Sequence, residues 1–197
     1  NIAAMLADEL GVHSYDKRIL TLASQYSGYP EHFFREADET LNGSLITKQL
    51  QALPKHHAPT GELSKFTSDD RLFDYQKIII EKLAASESCV IVGKCADYIL
   101  KDYDNVVSNY VEAPRSYTLR RVMERMDDIT VEEAHHLITK TDKYRADYYK
   151  YYTGGNYWTN PVNYDLTFNN ARLGDERCVK LTLDCMKLKF GDDFVEY

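Results

Sequence analysis

The sequence predicts an α/β fold with a parallel sheet, and three observations carry that prediction. The runs 88-SCVIVG-93 and 105-NVVSNYVEA-113 are nearly continuous apolar stretches, which is how strands buried on both faces of a parallel sheet look. Stretches with helical spacing lie before, between and after them. A further strand, 164-YDLTFN-169, leads to a closing helix at 175-DERCVKLTLDCMKLKF-190, so strands and helices alternate to the end. At 197 residues the chain is long enough for one sizeable domain with a proper core.

The elements follow in order. In 1-NIAAMLADELG-11, Ile2, Met5, Leu6 and Leu10 form one helical stripe and Gly11 is a C-terminal stop. Neither an initiator Met nor a cap precedes this helix, so residues before Asn1 are expected. The short alternating 12-VHSYD-16 is a strand end, and 17-KRILTLASQYSG-28 is a helix that stops at Gly28. Pro30 opens another helix, 30-PEHFFREADE-39, at a favourable first-turn position. From Thr40 to Thr67 periodicity fades, and a mobile connection is expected with one short helix at 44-SLITKQLQAL-53. The segment 68-SDDRLFDYQKIIIEKLAASE-87 is a helix capped by Ser68, with Leu72, Phe73, Gln76, Ile79, Ile80 and Leu83 on its apolar face. A short helix runs to Leu100 after the strand, and Pro114 starts 114-PRSYTLRRVMERM-126. Thr130 and Glu133 form a capping box before a long helix that reaches about Tyr151 and breaks at Gly154-Gly155.

Composition narrows the function. The chain is 44% hydrophobic and 28% charged, with a net charge of −7. A broad basic face for nucleic acid is therefore not expected, although a local cluster of Arg and Lys can still bind phosphate. No apolar run is long enough to span a membrane, and no signal peptide is visible. Cys89, Cys95, Cys178 and Cys185 include no CxxC pair. They read as reduced thiols of a cytoplasmic protein, and no metal site is expected from them. His56-His57 and His135-His136 do not converge, and no GxSxG elbow occurs.

Two features could carry chemistry. The first is Gly93-Lys94 at the end of an apolar strand. The P-loop pattern GxxxxGK[ST] would require Gly where Ser88 stands and a hydroxyl where Cys95 stands, so this is not a Walker A loop. It does lie at the carboxyl end of a strand, where open α/β sheets gather ligands. On spacing alone, a tight turn with a solvated lysine explains it equally well. The second feature is a cationic series. Arg120, Arg121 and Arg125 lie in 119-LRRVMER-125, with Arg121 and Arg125 four apart on one face. Lys140, Lys143, Arg145 and Lys150 follow among five tyrosines in 140-KTDKYRADYYKYY-152. Phosphoryl transfer depends mainly on positioning and charge neutralisation, a task suited to Arg and Lys on a closing lid. A solvated helical face accounts for the charges as well. The tyrosines are too many for one helix to bury and ask for a partner surface.

Taken together, 6-LADELGVHSYD-16, 88-SCVIVGKCADYIL-100, 117-YTLRRVMER-125, 141-TDKYRADYYKYYTG-154 and 163-NYDLTFNNARLG-174 resemble the cytidylate kinase-like family of bacterial P-loop proteins. The likeness covers nearly the whole chain outside residues 40–66. It implies a three-layer α/β/α fold with a central parallel sheet, of the P-loop nucleoside monophosphate kinase type. It also implies one domain over 1–197, with an acceptor-side segment at 40–67 and a helical lid at roughly 120–156. The family's first strand and Gly-rich phosphate loop would precede Asn1.

By the same resemblance, the implied activity is ATP-dependent, Mg²⁺-assisted phosphoryl transfer to a nucleoside monophosphate, nominally CMP or dCMP. Asp16, Arg18, Lys94 and Asp97 would serve the acceptor. Lys94 stands where the family usually has Arg; it keeps the charge and loses the two-pronged geometry. The family's Tyr-Arg element after the first acceptor acid is not evident, and Arg18 lies there instead. Arg121 and Arg125 resemble lid-base arginines that contact the donor, and Asn169 and Arg172 stand where donor-base contacts are placed. Arg145, Arg121 and Asp142 are the implied catalytic group, with Arg145 stabilising the transferring phosphoryl. The implied partners are small nucleotides. A nucleotide-binding regulator without catalysis, or a kinase of another small molecule on the same scaffold, are the competing expectations.

Overall fold

Among the described residues, four short strands and eight helices arise from the spacing described above. The structure, a computed structural model, describes residues 2–32, 34, 35, 68–192 and 194. The helix expected at 44–53 and the segment 40–67 lie outside them. The elements are α1 (Ile2–Leu10), β1 (His13–Tyr15), α2 (Arg18–Ser27), α3 (Ser68–Ser86), β2 (Cys89–Ile91) and α4 (Ala96–Ile99). They continue with β3 (Asn109–Glu112), α5 (Arg115–Met123), α6 (Val131–Tyr152), β4 (Leu166–Asn169), α7 (Asn170–Leu173) and α8 (Asp175–Phe190).

The chain divides into two compact units. One comprises Asn1–Val12 with Leu100–Tyr197, and the other is His13–Ile99. In the second unit β1 and β2 pair in parallel, with His13 opposite Cys89 and Tyr15 opposite Ile91. Helix α2 packs on α3. Ile19, Leu20 and Ala23 on α2 and Leu72, Ile80 and Leu83 on α3 are all buried. Burying each larger aliphatic side chain contributes about 1.5–3 kcal/mol. Gln76, placed by its spacing on the same face, is 1% exposed. Gly28 ends α2 at φ 76, and its N–H bonds the carbonyl of Ser24, a left-handed stop that glycine adopts without a Cβ clash.

In the other unit β3 and β4 pair in parallel, with Asn109 opposite Leu166 and Glu112 opposite Asn169. Helix α1 packs along α8, and α5 packs on α6. The capping box forms as its sequence predicts: Glu133 N–H donates to Thr130 Oγ1 at 3.2 Å, and the Thr130 N–H donates to Glu133 Oε2 at 2.9 Å. Of the tyrosines on α6, Tyr148 and Tyr149 are buried and Tyr151 is 56% exposed.

Three expectations change. Among the described residues the strands pair two by two, β1 with β2 and β3 with β4, where one central sheet was expected. Neither apolar strand is fully buried: Cys89–Ile91 are half-buried, and Val111 and Glu112 are exposed. In a two-stranded sheet both strands are edges, so neighbours cover less of each. Finally, α5 stops at Met123, and Arg125 N–H bonds the carbonyl of Val122 in the turn beyond it. The N–H groups of Glu124 and Met126 still bond the carbonyls of Arg120 and Val122, four residues back, so helical bonding runs on past the helix's last residue. No helix among the described residues is long and apolar enough to cross a membrane.

Candidate functional site

The residues expected to serve an acceptor all lie in His13–Ile99 or at its strand ends. The parallel register carries β1 into Asp16 and β2 into Val92, and Val92 N–H donates to the Tyr15 carbonyl at 2.8 Å. Asp16 and the Gly93-Lys94 turn thus leave the same carboxyl edge, the usual place for ligands in an α/β sheet. Gly93, Lys94 and Cys95 are consecutive left-handed residues, with φ of 70, 58 and 56. The Ala96 N–H closes the turn on the Gly93 carbonyl at 3.0 Å. Only the glycine takes this conformation freely; each L-residue there costs about 1–2 kcal/mol. Such strain gathers where a function holds it in place. Asp97 follows in the first turn of α4, and Arg18 opens α2 with its guanidinium 5.7 Å from the Tyr15 ring centre.

Behind this edge lies a clasp not apparent from sequence. Glu87 accepts hydrogen bonds from the Tyr15 hydroxyl at 2.6 Å and from His13 Nδ1 at 3.0 Å. The His13 and Tyr15 rings meet edge to face at 6.1 Å. The hydrogen bond to Glu87, burial and the carboxylate's charge together push the Tyr15 phenol up to about 12. The bonds from His13 and then Tyr15 hold Glu87 below its ordinary 4.5. A depressed folded-state value means that the clasp's contribution is complete above pH 4.5 and fades as pH falls through the lower folded value. Glu87→Gln should therefore destabilise the protein at neutral pH, with the difference from wild type shrinking below pH 4.5. Denaturant unfolding at a series of pH values measures this. A difference that persists undiminished into strong acid would show that the carboxylate's charge is not its source. Burial also raises the neighbouring Cys89 thiol to about 11, which leaves it protonated and unreactive at neutral pH.

The residues expected to serve the donor and the lid lie in the other unit. Arg121 pairs with Asp175 at 3.4 Å, and Asp175 also accepts from Asn170 Nδ2 at 2.8 Å. This ties α5 to the start of α8. Arg125 and Arg172 are exposed. Asn169 ends β4, and its side-chain oxygen is buried without a hydrogen-bond donor. A buried acceptor left unpaired costs about 1–3 kcal/mol, which a ligand's N–H or O–H would recover.

On α6, Asp142 pairs with Arg115 at 3.7 Å, and the Arg145 guanidinium lies 6.0 Å from the Trp158 ring centre. Trp158 meets the edge of Tyr110 at 5.4 Å, and Tyr110 stacks on Tyr164 at 5.2 Å with a 22° interplanar angle. Burial, then Glu112 and Asp142, raise the Tyr110 phenol, and Arg145 opposes them, so both Asp142 and Arg145 act on this ring. Lys143 pairs with Asp147 along the helix. Sequence reasoning missed Glu87, Tyr15, His13, Arg115 and Trp158. The single tryptophan after Gly154-Gly155 was the one available hint.

Residues 1–172 match the cytidylate kinase-like family, and the chain belongs to it. A solved structure with the same fold is that of an uncharacterized protein from Eubacterium ventriosum ATCC 27560. It shows 20% identity and a TM-score of 0.65, covering 95% of this chain and 90% of that one. No curated protein matches the sequence.

Proposed function

We propose that the protein transfers the γ-phosphoryl group of ATP to a nucleoside monophosphate, with CMP or dCMP the nominal acceptor. An oxygen of the acceptor phosphate attacks the γ-phosphorus, the bond from that phosphorus to the bridging oxygen breaks, and a nucleoside diphosphate and ADP result. The observation that carries this reading is the left-handed Gly93-Lys94-Cys95 turn beside Asp16, in a chain of a kinase-like family. It holds a cation at a strand end against a conformational cost. Lys94 takes the acceptor phosphate, with Asp16, Arg18 and Asp97 around it. Arg145 neutralises charge on the moving phosphoryl group. The unpaired oxygen of Asn169 suits a donor-base amino group, beside Arg172 and the Arg121–Asp175 pair.

Among the described residues no three metal-type side chains converge. Mg²⁺ in such chemistry is held mainly by substrate phosphates and one or two carboxylates, and Asp16 is the carboxylate at the strand edge. When bound it would offset negative charge on the phosphates. Four unbridged cysteines suit a reducing cytoplasm.

A coupled ATP-consumption assay across all nucleoside monophosphates, run on the full-length protein, tests the proposal. Turnover should be highest with CMP or dCMP, and its absence with both sinks that acceptor assignment. One observation favours a nucleotide-binding protein without turnover: Arg121 is already neutralised by Asp175. That reading predicts a thermal shift with ATP or CMP and no ADP formed.

A further inference from the structure

Arg115 opens α5 directly after the strand β3 and Pro114. Its side chain spends nearly all its donors on α6. Nη2 donates to the His135 carbonyl at 2.5 Å and to Thr139 Oγ1 at 2.7 Å, and Nε points at His135 Nδ1 at 3.4 Å. Nη1 lies 3.7 Å from the Asp142 carboxylate. Positions 135, 139 and 142 are four and three apart, one above another on a single face of α6. One planar guanidinium thus grips two successive turns of the helix, which lysine's single ammonium cannot reproduce. Arg145 comes three residues after Asp142, in the next turn of that face.

Resting on the kinase reading above, we propose that Arg115 is a positioning residue for Arg145. It fixes α6 to the end of β3 and so sets where the Arg145 guanidinium lies. Asp142 then acts as the far anchor of this grip, and its contribution to catalysis passes through Arg115. A small displacement of Arg145 is costly, because misplacement of about 1 Å can cost 10²-fold in rate.

Arg115→Ala should lower kcat roughly 10- to 100-fold, with KM for either nucleotide changed by less than about twofold. Added to an Arg145→Ala protein, the same substitution should lower kcat no further, since coupled residues are non-additive. Arg115→Lys should recover little. Equal fold-losses in the two backgrounds would overturn the proposal. The second readout needs no turnover. Trp158 is the only tryptophan and lies under Arg145, so its emission reports whether Arg145 stays in place. Arg115→Ala should change that emission, and an unchanged spectrum also overturns the proposal. If Arg115→Ala does not fold, as judged by circular dichroism, Asp142→Asn removes the far anchor alone and takes both readouts. Where wild type turns over no monophosphate, the kinase reading fails, and the emission of Trp158 alone decides the positioning role.

Discussion

Arg145→Ala should lower kcat by about 10³-fold or more, the scale on which an arginine contributes to phosphoryl transfer. KM for donor and acceptor should stay within about twofold, because a contact formed mainly in the transition state acts on kcat. The resting position explains the expected split. The guanidinium lies against the Trp158 face, and Arg145 is exposed and, among the described residues, not locked in an ion pair. A cation held by a ring is held weakly, about 0.5–1 kcal/mol at an exposed site, so leaving it for a charged phosphoryl costs little. Arg121 contrasts with it, because leaving Asp175 means breaking a pair that also involves Asn170. Steady-state kinetics with both substrates varied makes the measurement. An unchanged kcat would remove Arg145 from the catalytic group.

The second large effect is expected at Lys94, where activity and stability should move in opposite directions. Lys94→Ala and Lys94→Gly should both raise the acceptor KM strongly and the donor KM little. An equal rise in both would contradict the acceptor assignment. The two variants should differ in stability. Alanine keeps the left-handed strain at φ 58, and glycine relieves it. After allowance for glycine's greater freedom when unfolded, Lys94→Gly should exceed Lys94→Ala by about 1 kcal/mol, or roughly 2–4 °C in Tm. Thermal unfolding of the pair side by side checks this. Equal Tm values would mean that the turn stores no strain and that its conformation is not a cost borne for ligand binding.

Local signals in the sequence translated well into structure. Thr130 and Glu133 are three apart, and the reciprocal bonds they imply are present. The glycine stops at Gly11 and Gly28 fall where the helical stripes end. Whatever depends on residues far apart was not legible. Glu87 meets His13 and Tyr15 across more than seventy residues, and no periodicity announces that pairing. Arg115 reads as an ordinary first-turn residue until α6 is folded beside it. The apolar runs of β2 and β3 were legible as strands, but how far neighbours cover them is a property of the assembled sheet. At the candidate site, the residue types at 16, 94 and 145 could be read, and their partners could not.

The division of the chain has a consequence for its synthesis. Residues 13–99 interrupt a unit whose first helix, α1, packs against its last, α8. On the ribosome α1 emerges well before its partner α8, with residues 13–99 translated between them. A nine-residue helix is too short to persist alone in water, so α1 stays without this partner until α8 has been made. Residues 13–99 can gather their own core during that wait, whereas the unit they interrupt is complete only once α8 is made. The interrupting segment therefore assembles before the unit it interrupts.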